Sequence, residues 1–135
     1  MSSSPRITRL IDNWSQQLDD SSPPPESFLS QLNTTLSGSE YVLQSLETKP
    51  ELLNQFYVNG SLETPPTQAE FQSSLRDLTA EIESEEELHR TLRLFRQQQL
   101  IRIIWRDLCR TAGLDETLES LTALADTCTQ QALEW

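Results

Sequence analysis

One stretch of the chain, residues 88–113, is both arginine-rich and strongly apolar, and it constrains the fold more than any other. Six basic residues and a single acid, Asp107, give it a formal charge of +5, whereas the whole chain carries −11. Its apolar residues recur at helical intervals, which predicts a long helix over about residues 84–112. Ser84 is placed to cap its first turn, and Gly113 is placed to end it as the residue after the C-cap.

The apolar stripe of this helix does not stay on one face. At 100° per residue, Leu88, Leu92 and Phe95 share one side. A second group lies on a side rotated by more than about 90°: Leu94, Ile101, Ile104, Trp105 and Leu108. A stripe that changes side predicts two different packing partners, one for each half of the helix.

The remainder of the chain is also patterned as helices. No segment alternates apolar and polar residues as a half-buried strand would, and only three glycines are present. We therefore predict an all-α bundle of about six to seven helices. Residues 19–25 read as a linker because they combine acids, serines and three prolines.

Two capping boxes and one further cap place individual helices. Thr67 with Glu70 opens a helix whose apolar residues are expected to be Phe71, Leu75, Leu78 and Ile82. Ser84 with Glu87 opens the long helix in the same way. Asp115 is expected to cap the last helix, which runs to Trp135.

Composition excludes several classes of function. The charge of −11 disfavours nucleic-acid binding, because phosphates would repel the chain. No apolar run is long enough for a membrane span and no secretory signal is visible, so we expect no membrane association and a cytoplasmic location. Cys109 and Cys128 lack metal-ligand or redox spacing and are expected to be reduced thiols. With one histidine and no glycine-rich phosphate loop, the segment offers no catalytic, cofactor-binding or metal-binding residue.

The arginines of the long helix are the best candidates for a functional surface. Arg102, Arg106 and Arg110 are spaced by four residues and line one edge of the helix. They could pair with some of the many acids on neighbouring helices, or they could face a second domain or a phosphate-bearing ligand. We take these three arginines and Trp105 as the candidate domain-interface residues. Asp107 is better placed to pair with Arg110, or with a more distant residue, than with Arg106.

The order of residues in the long helix is distinctive. It reads Leu92-Arg93-x-Phe95-Arg96, followed by Ile101-Arg102-Ile103-x-Trp105-Arg106-Asp107-Leu108. This order resembles the helix LRRFRRREMLRIAWRDL of the bacterial bifunctional glutamine synthetase adenylyltransferase/adenylyl-removing enzymes. Residues 114–133 look like that family's DLEETLRELSALADALI, and residues 39–53 are similar to its early S-D/E-F/Y-V…P-E-L-L segment. The chain departs from the family at residues 97–99, where glutamines replace three charged residues.

The resemblance implies a function that the residues alone do not show. Enzymes of this family move AMP from ATP to a tyrosine of glutamine synthetase and remove it with phosphate, using Mg²⁺ held by aspartates of a loop that this sequence lacks. Residues 1–135 would then be an N-terminal helical subdomain that precedes, and orients, a nucleotidyltransferase domain absent from this chain. Glutamine synthetase and a PII-type regulator are the implied partners of the complete enzyme. The alternative is a free-standing helical protein-interaction module.

Overall fold

The computed structural model describes residues 4–18 and 24–135. Within these ranges the backbone forms seven α-helices, one short 3₁₀ turn at Ser61–Glu63 and no strand, which confirms the all-α prediction. The helices are α1 (Pro5–Gln17), α2 (Glu26–Gly38), α3 (Glu40–Thr48), α4 (Glu51–Asn59), α5 (Gln68–Thr79), α6 (Glu85–Leu108) and α7 (Leu114–Glu134). The predicted linker falls largely on residues 19–23, which lie outside the described residues.

Local sequence explains where most helices begin. Four of them start after a serine or threonine whose side-chain oxygen accepts a hydrogen bond from the amide three residues later, at 3.2–3.3 Å. These caps are Ser4, Ser39, Thr67 and Ser84. Each one satisfies an amide that has no partner inside its helix. Gly60 ends α4 with a left-handed φ of 66°, a conformation that glycine adopts without steric cost.

The prediction for the end of the long helix was wrong. Helix α6 ends at Leu108, about four residues earlier than expected, and Arg110 instead of Gly113 adopts the left-handed conformation, with φ 59°. The turn is closed by the amides of Thr111 and Ala112, which both donate to the carbonyl of Arg106 at 3.0 and 3.2 Å. These bonds satisfy a carbonyl that the helix would otherwise leave without a partner, so the chain reverses before it reaches the glycine.

The start of the last helix also differs from the prediction. Gly113 has a φ of −81° and occupies the N-cap of α7 without a side-chain hydrogen bond. Asp115 therefore lies within the first turn and does not cap the helix. Its charge still lies near the positive end of the helix dipole, where a carboxylate is stabilising.

The apolar face of α5 is shorter than its sequence indicated. Phe71 and Leu75 are buried as predicted, but Leu78 is 52% exposed, and the helix ends before Ile82. Near this end α5 meets α7 through the buried Thr79, whose hydroxyl accepts a hydrogen bond from Gln131 at 2.9 Å. A polar contact thus occupies the place where a leucine contact was expected.

Two apolar cores lie on either side of α6. The N-terminal core is built from α1–α4, the 3₁₀ turn and α6, and contains Ile7, Trp14, Leu32, Leu36, Val42, Leu43, Leu46, Leu52, Leu53, Phe56, Leu62, Ile101 and Trp105. The C-terminal core joins α5, α6 and α7, and contains Phe71, Leu75, Phe95, Ile103 and Leu124. The change of side along the helix therefore does reflect two packing partners, as predicted.

The division between the two partners is not a simple division into halves. Ile101 and Ile103 are two residues apart and point into different cores, so the C-terminal part of α6 is enclosed from both sides. Leu94 was assigned to the second face but is 36% exposed. Side-chain hydrogen bonds between α6 and the N-terminal part of the chain lie further along the helix, at Gln97 and Gln98. Within the described ranges, none of the helices combines the length and the apolar character that crossing a bilayer would require.

Candidate domain-interface site

Arg102 lies at the centre of the candidate site and is almost completely buried, with 2% of its side chain exposed. Its guanidinium donates to both carboxylate oxygens of Glu70, at 2.5 and 3.4 Å. It also donates to the carbonyl and hydroxyl oxygens of Thr64, at 3.0 and 2.9 Å, and to the side chain of Gln99 at 3.3 Å. A buried guanidinium needs such partners because it has lost its contacts with water. Arg102 therefore joins α6 to the start of α5.

Glu70 has a different role from the one that its capping box indicated. Its amide is bound by Thr67, as a capping box requires, but its carboxylate is directed to Arg102. The Nε atom of Arg102 is buried without a hydrogen-bond partner among the described residues. The hydrogen bonds of Arg102 are therefore made by Nη1 and Nη2, which face the carboxylate of Glu70 and Thr64.

Arg106 makes an equivalent connection one turn further along the helix. It is 5% exposed and forms a two-pronged ion pair with Glu116, through Nε at 2.9 Å and Nη2 at 3.1 Å. Arg106 also donates to two backbone carbonyls, through Nη1 to that of Leu62 at 3.2 Å and through Nη2 to that of Thr111 at 3.3 Å. The planar guanidinium suits this set of acceptors, which a lysine ammonium could not match. One side chain thereby connects α6, α7 and the 3₁₀ turn.

Trp105 is also internal, with 1% of its surface exposed. Its indole nitrogen donates to the side-chain oxygen of Gln31 at 3.1 Å, and its ring lies 5.3 Å from that of Phe28. Phe28 contacts Trp14 and Tyr57 with ring centroids 5.4 and 5.0 Å apart. This aromatic cluster joins the last turn of α6 to α1, α2 and α4, since packed aromatic rings contribute beyond their buried area.

Arg110 is the one predicted interface residue that remains accessible. It is exposed, and its side chain has no hydrogen-bond or ion-pair partner among residues 4–18 and 24–135. Asp107, its expected partner, instead accepts a hydrogen bond from the hydroxyl of Thr117 at 3.1 Å. The left-handed backbone of Arg110 rotates its side chain away from the helical i+3 position that the pairing needs.

Of the two interpretations of the arginines, the structure therefore shows intramolecular pairing for Arg102 and Arg106. A role for the four residues in a domain interface stays a prediction, and Arg110 is the one whose charge is free to serve it. Sequence reasoning did not identify Glu70, Glu116 or Gln31 as the partners. The capping pattern marked Glu70 as noteworthy, but nothing in the sequence distinguished Glu116 from other surface acids.

The pKa values of one exposed carboxylate and of both cysteines are shifted from their ordinary values. Hydrogen bonds from Arg6 hold the pKa of Glu47 below its ordinary value, at an exposed ion pair between α1 and α3. Burial raises the pKa of the thiols of Cys109 and Cys128, which makes both poor nucleophiles at neutral pH. In the described part of the chain, no three His, Cys, Asp or Glu side chains converge in a way that could hold a metal ion.

Comparison with known proteins decides the family. The sequence model of the glutamate-ammonia ligase adenylyltransferase family matches residues 29–135, which is most of the chain. This chain belongs to that family. The match covers both the arginine helix and α7, where the resemblance in the sequence was strongest.

Individual members of the glutamate-ammonia ligase adenylyltransferase family show the same relationship. The bifunctional glutamine synthetase adenylyltransferase/adenylyl-removing enzyme of Pseudomonas aeruginosa is 39% identical over 111 residues, which are 82% of this chain and 11% of that enzyme. The enzymes of the same name from Thioalkalivibrio sulfidiphilus and Pseudomonas syringae pv. tomato are 33% and 32% identical, each over 97% of this chain and 14% of the enzyme. The chain therefore spans a small part of the length of these relatives.

Proposed function

We propose that this chain is a helical scaffold segment of a glutamine synthetase adenylyltransferase/adenylyl-removing enzyme, and that it positions a nucleotidyltransferase domain without taking part in the chemistry. In the complete enzyme it would precede that domain and contribute to the control of nitrogen assimilation. Glutamine synthetase would be the substrate, and a PII-type protein would act as regulator.

The observation that carries this proposal is the use made of the family's arginine motif. Arg102 and Arg106 are the charged residues of the motif Ile101-Arg102-Ile103-x-Trp105-Arg106. Both side chains form ion pairs within the helical unit. They connect α6 to α5, α7 and the 3₁₀ turn, while Trp105 connects α6 to the N-terminal helices. Residues that fix helices to one another in this way support a rigid platform, and a catalytic domain needs such a platform to hold its reactive groups in place.

The chemistry of the described residues supports a non-catalytic role. ATP and Mg²⁺ are implied for the complete enzyme, and we expect their binding residues to lie outside this segment. Glu70 and Glu116, the two carboxylates that pair with buried arginines, are occupied by structural contacts. We therefore assign no catalytic step to this segment.

The proposal can be tested with the Pseudomonas aeruginosa relative. Three proteins are compared: the intact relative, the relative without the 111 residues that match, and a chimera in which this chain replaces them. ADP release from adenylylated glutamine synthetase in the presence of phosphate is the readout. We expect activity in the intact enzyme and the chimera, and a large loss in the deletion.

Two results would contradict the proposal. ADP release by the isolated 135-residue chain would show that the segment is catalytic. Full activity of the deletion would show that no scaffold is needed, and would favour a free-standing interaction module. Circular dichroism of the deletion separates loss of positioning from unfolding of the catalytic part.

A further inference from the structure

Helix α7 exposes a second apolar stripe that the fold does not use. Leu114, Leu118 and Leu121 are 69%, 53% and 38% exposed. The core-facing side of the same helix is a different set, Ser120, Leu124 and Thr127, all buried. Large apolar side chains exposed together, rather than singly, mark interaction surfaces.

The spacing of this stripe is that of a helix–helix seam. After the three leucines it continues through the exposed Ala125 and Ala132 and through Cys128, which is half-buried at the edge of the C-terminal core, with intervals that alternate between four and three residues. At 100° per residue the six positions fall within about 80° of one another. A strict alternation of this kind is the pattern by which one helix packs along another at a shallow angle. The alanines and the cysteine, being small, would allow a close approach at the C-terminal end.

Charge beside the seam restricts what can pack on it. Asp115, Glu119 and Asp126 are exposed along one flank, and α7 contains no lysine or arginine. In an antiparallel pair of two α7 helices, the acidic flank of one would lie against that of the other, and the chain as a whole carries −11. Like charges therefore disfavour a second copy of this chain.

We infer that the α7 seam is a docking surface for a partner helix that has an apolar seam of its own and a lysine- or arginine-bearing flank facing Asp115, Glu119 and Asp126. This inference rests on the proposed function, because we assign the helix to the catalytic portion of the enzyme. The relatives supply ample chain for it, since the region matched here is only 11–14% of their length. The contact to the catalytic portion would thus run through α7, beside the accessible Arg110, and not through the buried Arg102 and Arg106.

Hydroxyl-radical footprinting of the three seam leucines tests the inference. It compares the isolated chain with the Pseudomonas aeruginosa chimera described above. We expect the oxidation rate of Leu114, Leu118 and Leu121 to fall at least about fivefold in the chimera. A decrease of this size corresponds to the change from their present exposure to full burial at an interface.

Matched variants identify the surface. The double variant L118E/L121E should leave Leu114 as reactive in the chimera as in the isolated chain. The control V58E/L78E makes the same chemical change at two residues that are 74% and 52% exposed and lie outside α7, and it should keep the protection. Circular dichroism of each isolated variant confirms that the fold is retained, as expected for exposed positions.

The outcomes separate this inference from the proposed function. Equal reactivity of the seam in the chain and in the chimera would overturn the docking surface, and full ADP release by that chimera would leave the scaffold proposal standing. Protection already present in the isolated chain, with a dimer in sedimentation, would overturn the inference in favour of a second copy. A protected seam in an inactive chimera would support the inference and contradict the proposed function.

Discussion

The ion pair between Arg106 and Glu116 allows a quantitative test of how α6 holds the fold together. Replacing Glu116 with glutamine keeps the shape of the side chain but removes the charge and one of two acceptor oxygens. Hydrogen bonds to charged groups contribute about 1.5–3 kcal/mol, and breaking a fully buried pair costs about 3–5 kcal/mol. Glu116 is 28% exposed, and the carbonyls of Leu62 and Thr111 remain as partners, so the cost should lie near the lower end.

We therefore expect Glu116→Gln to lower the free energy of unfolding by about 2 kcal/mol, which is roughly 6–10 °C in Tm for a chain of this size. Urea denaturation followed by far-UV circular dichroism measures this change. Asp115→Asn is the matched control, because it removes a carboxylate from the same helical turn without touching Arg106. It should cost about 0.3–1 kcal/mol, the contribution of an exposed charge near the helix dipole.

A double variant sharpens the test. Arg106→Met with Glu116→Leu removes both charges together and should be less destabilising than the sum of the two single changes, because neither charge is left unpaired. If Glu116→Gln were no more destabilising than Asp115→Asn, Arg106 would not depend on this carboxylate, and our account of the connection between α6 and α7 would be refuted.

Three further predictions concern other parts of the chain. Arg110→Gly should stabilise the protein by about 1 kcal/mol because it relieves the left-handed backbone, whereas Arg110→Lys should not; thermal melts compare the two. Gly60→Ala should destabilise by about 1 kcal/mol through its φ of 66°, since no atom lies within 4 Å of the added methyl, and unchanged stability would contradict this. Arg6 lowers the pKa of Glu47 in the folded state. The ion pair should therefore add to the free energy of unfolding at pH values above about 4.3, the pKa of an unfolded glutamate, and this stabilisation should be lost as the pH falls below that value. Urea titrations should therefore show a steeper acid loss of stability for the wild type than for Glu47→Gln.

Local features of the fold were predictable because local rules decide them. The caps at Thr67 and Ser84 follow from side chains that reach amides three residues away, and the structure contains both. The change of side along α6 also follows from spacing alone, and it correctly indicated two packing partners. Such features depend on neighbours in the sequence, so one sequence is enough to find them.

The long-range contacts could not be predicted in the same way. The chain has 21 acidic residues, and spacing does not reveal that Glu70 and Glu116 are the two that meet buried arginines.

The end of α6 was misplaced because Gly113 is the better residue for a left-handed turn, yet closure of the turn onto the Arg106 carbonyl places that conformation at Arg110. The backbone hydrogen bonds of this turn outweighed the preference of a single residue.

The central claim is that the motif arginines act inside the scaffold and that the catalytic domain is contacted elsewhere. The most direct measurement is the rate of ADP release from adenylylated glutamine synthetase by the Pseudomonas aeruginosa chimera carrying Arg106→Met and Glu116→Leu, with its fold verified by circular dichroism. We predict a rate close to that of the unmodified chimera, because the apolar pair preserves the packing of α6 against α7. A loss of tenfold or more in a folded chimera would show that Arg106 serves the catalytic domain directly and would contradict the claim.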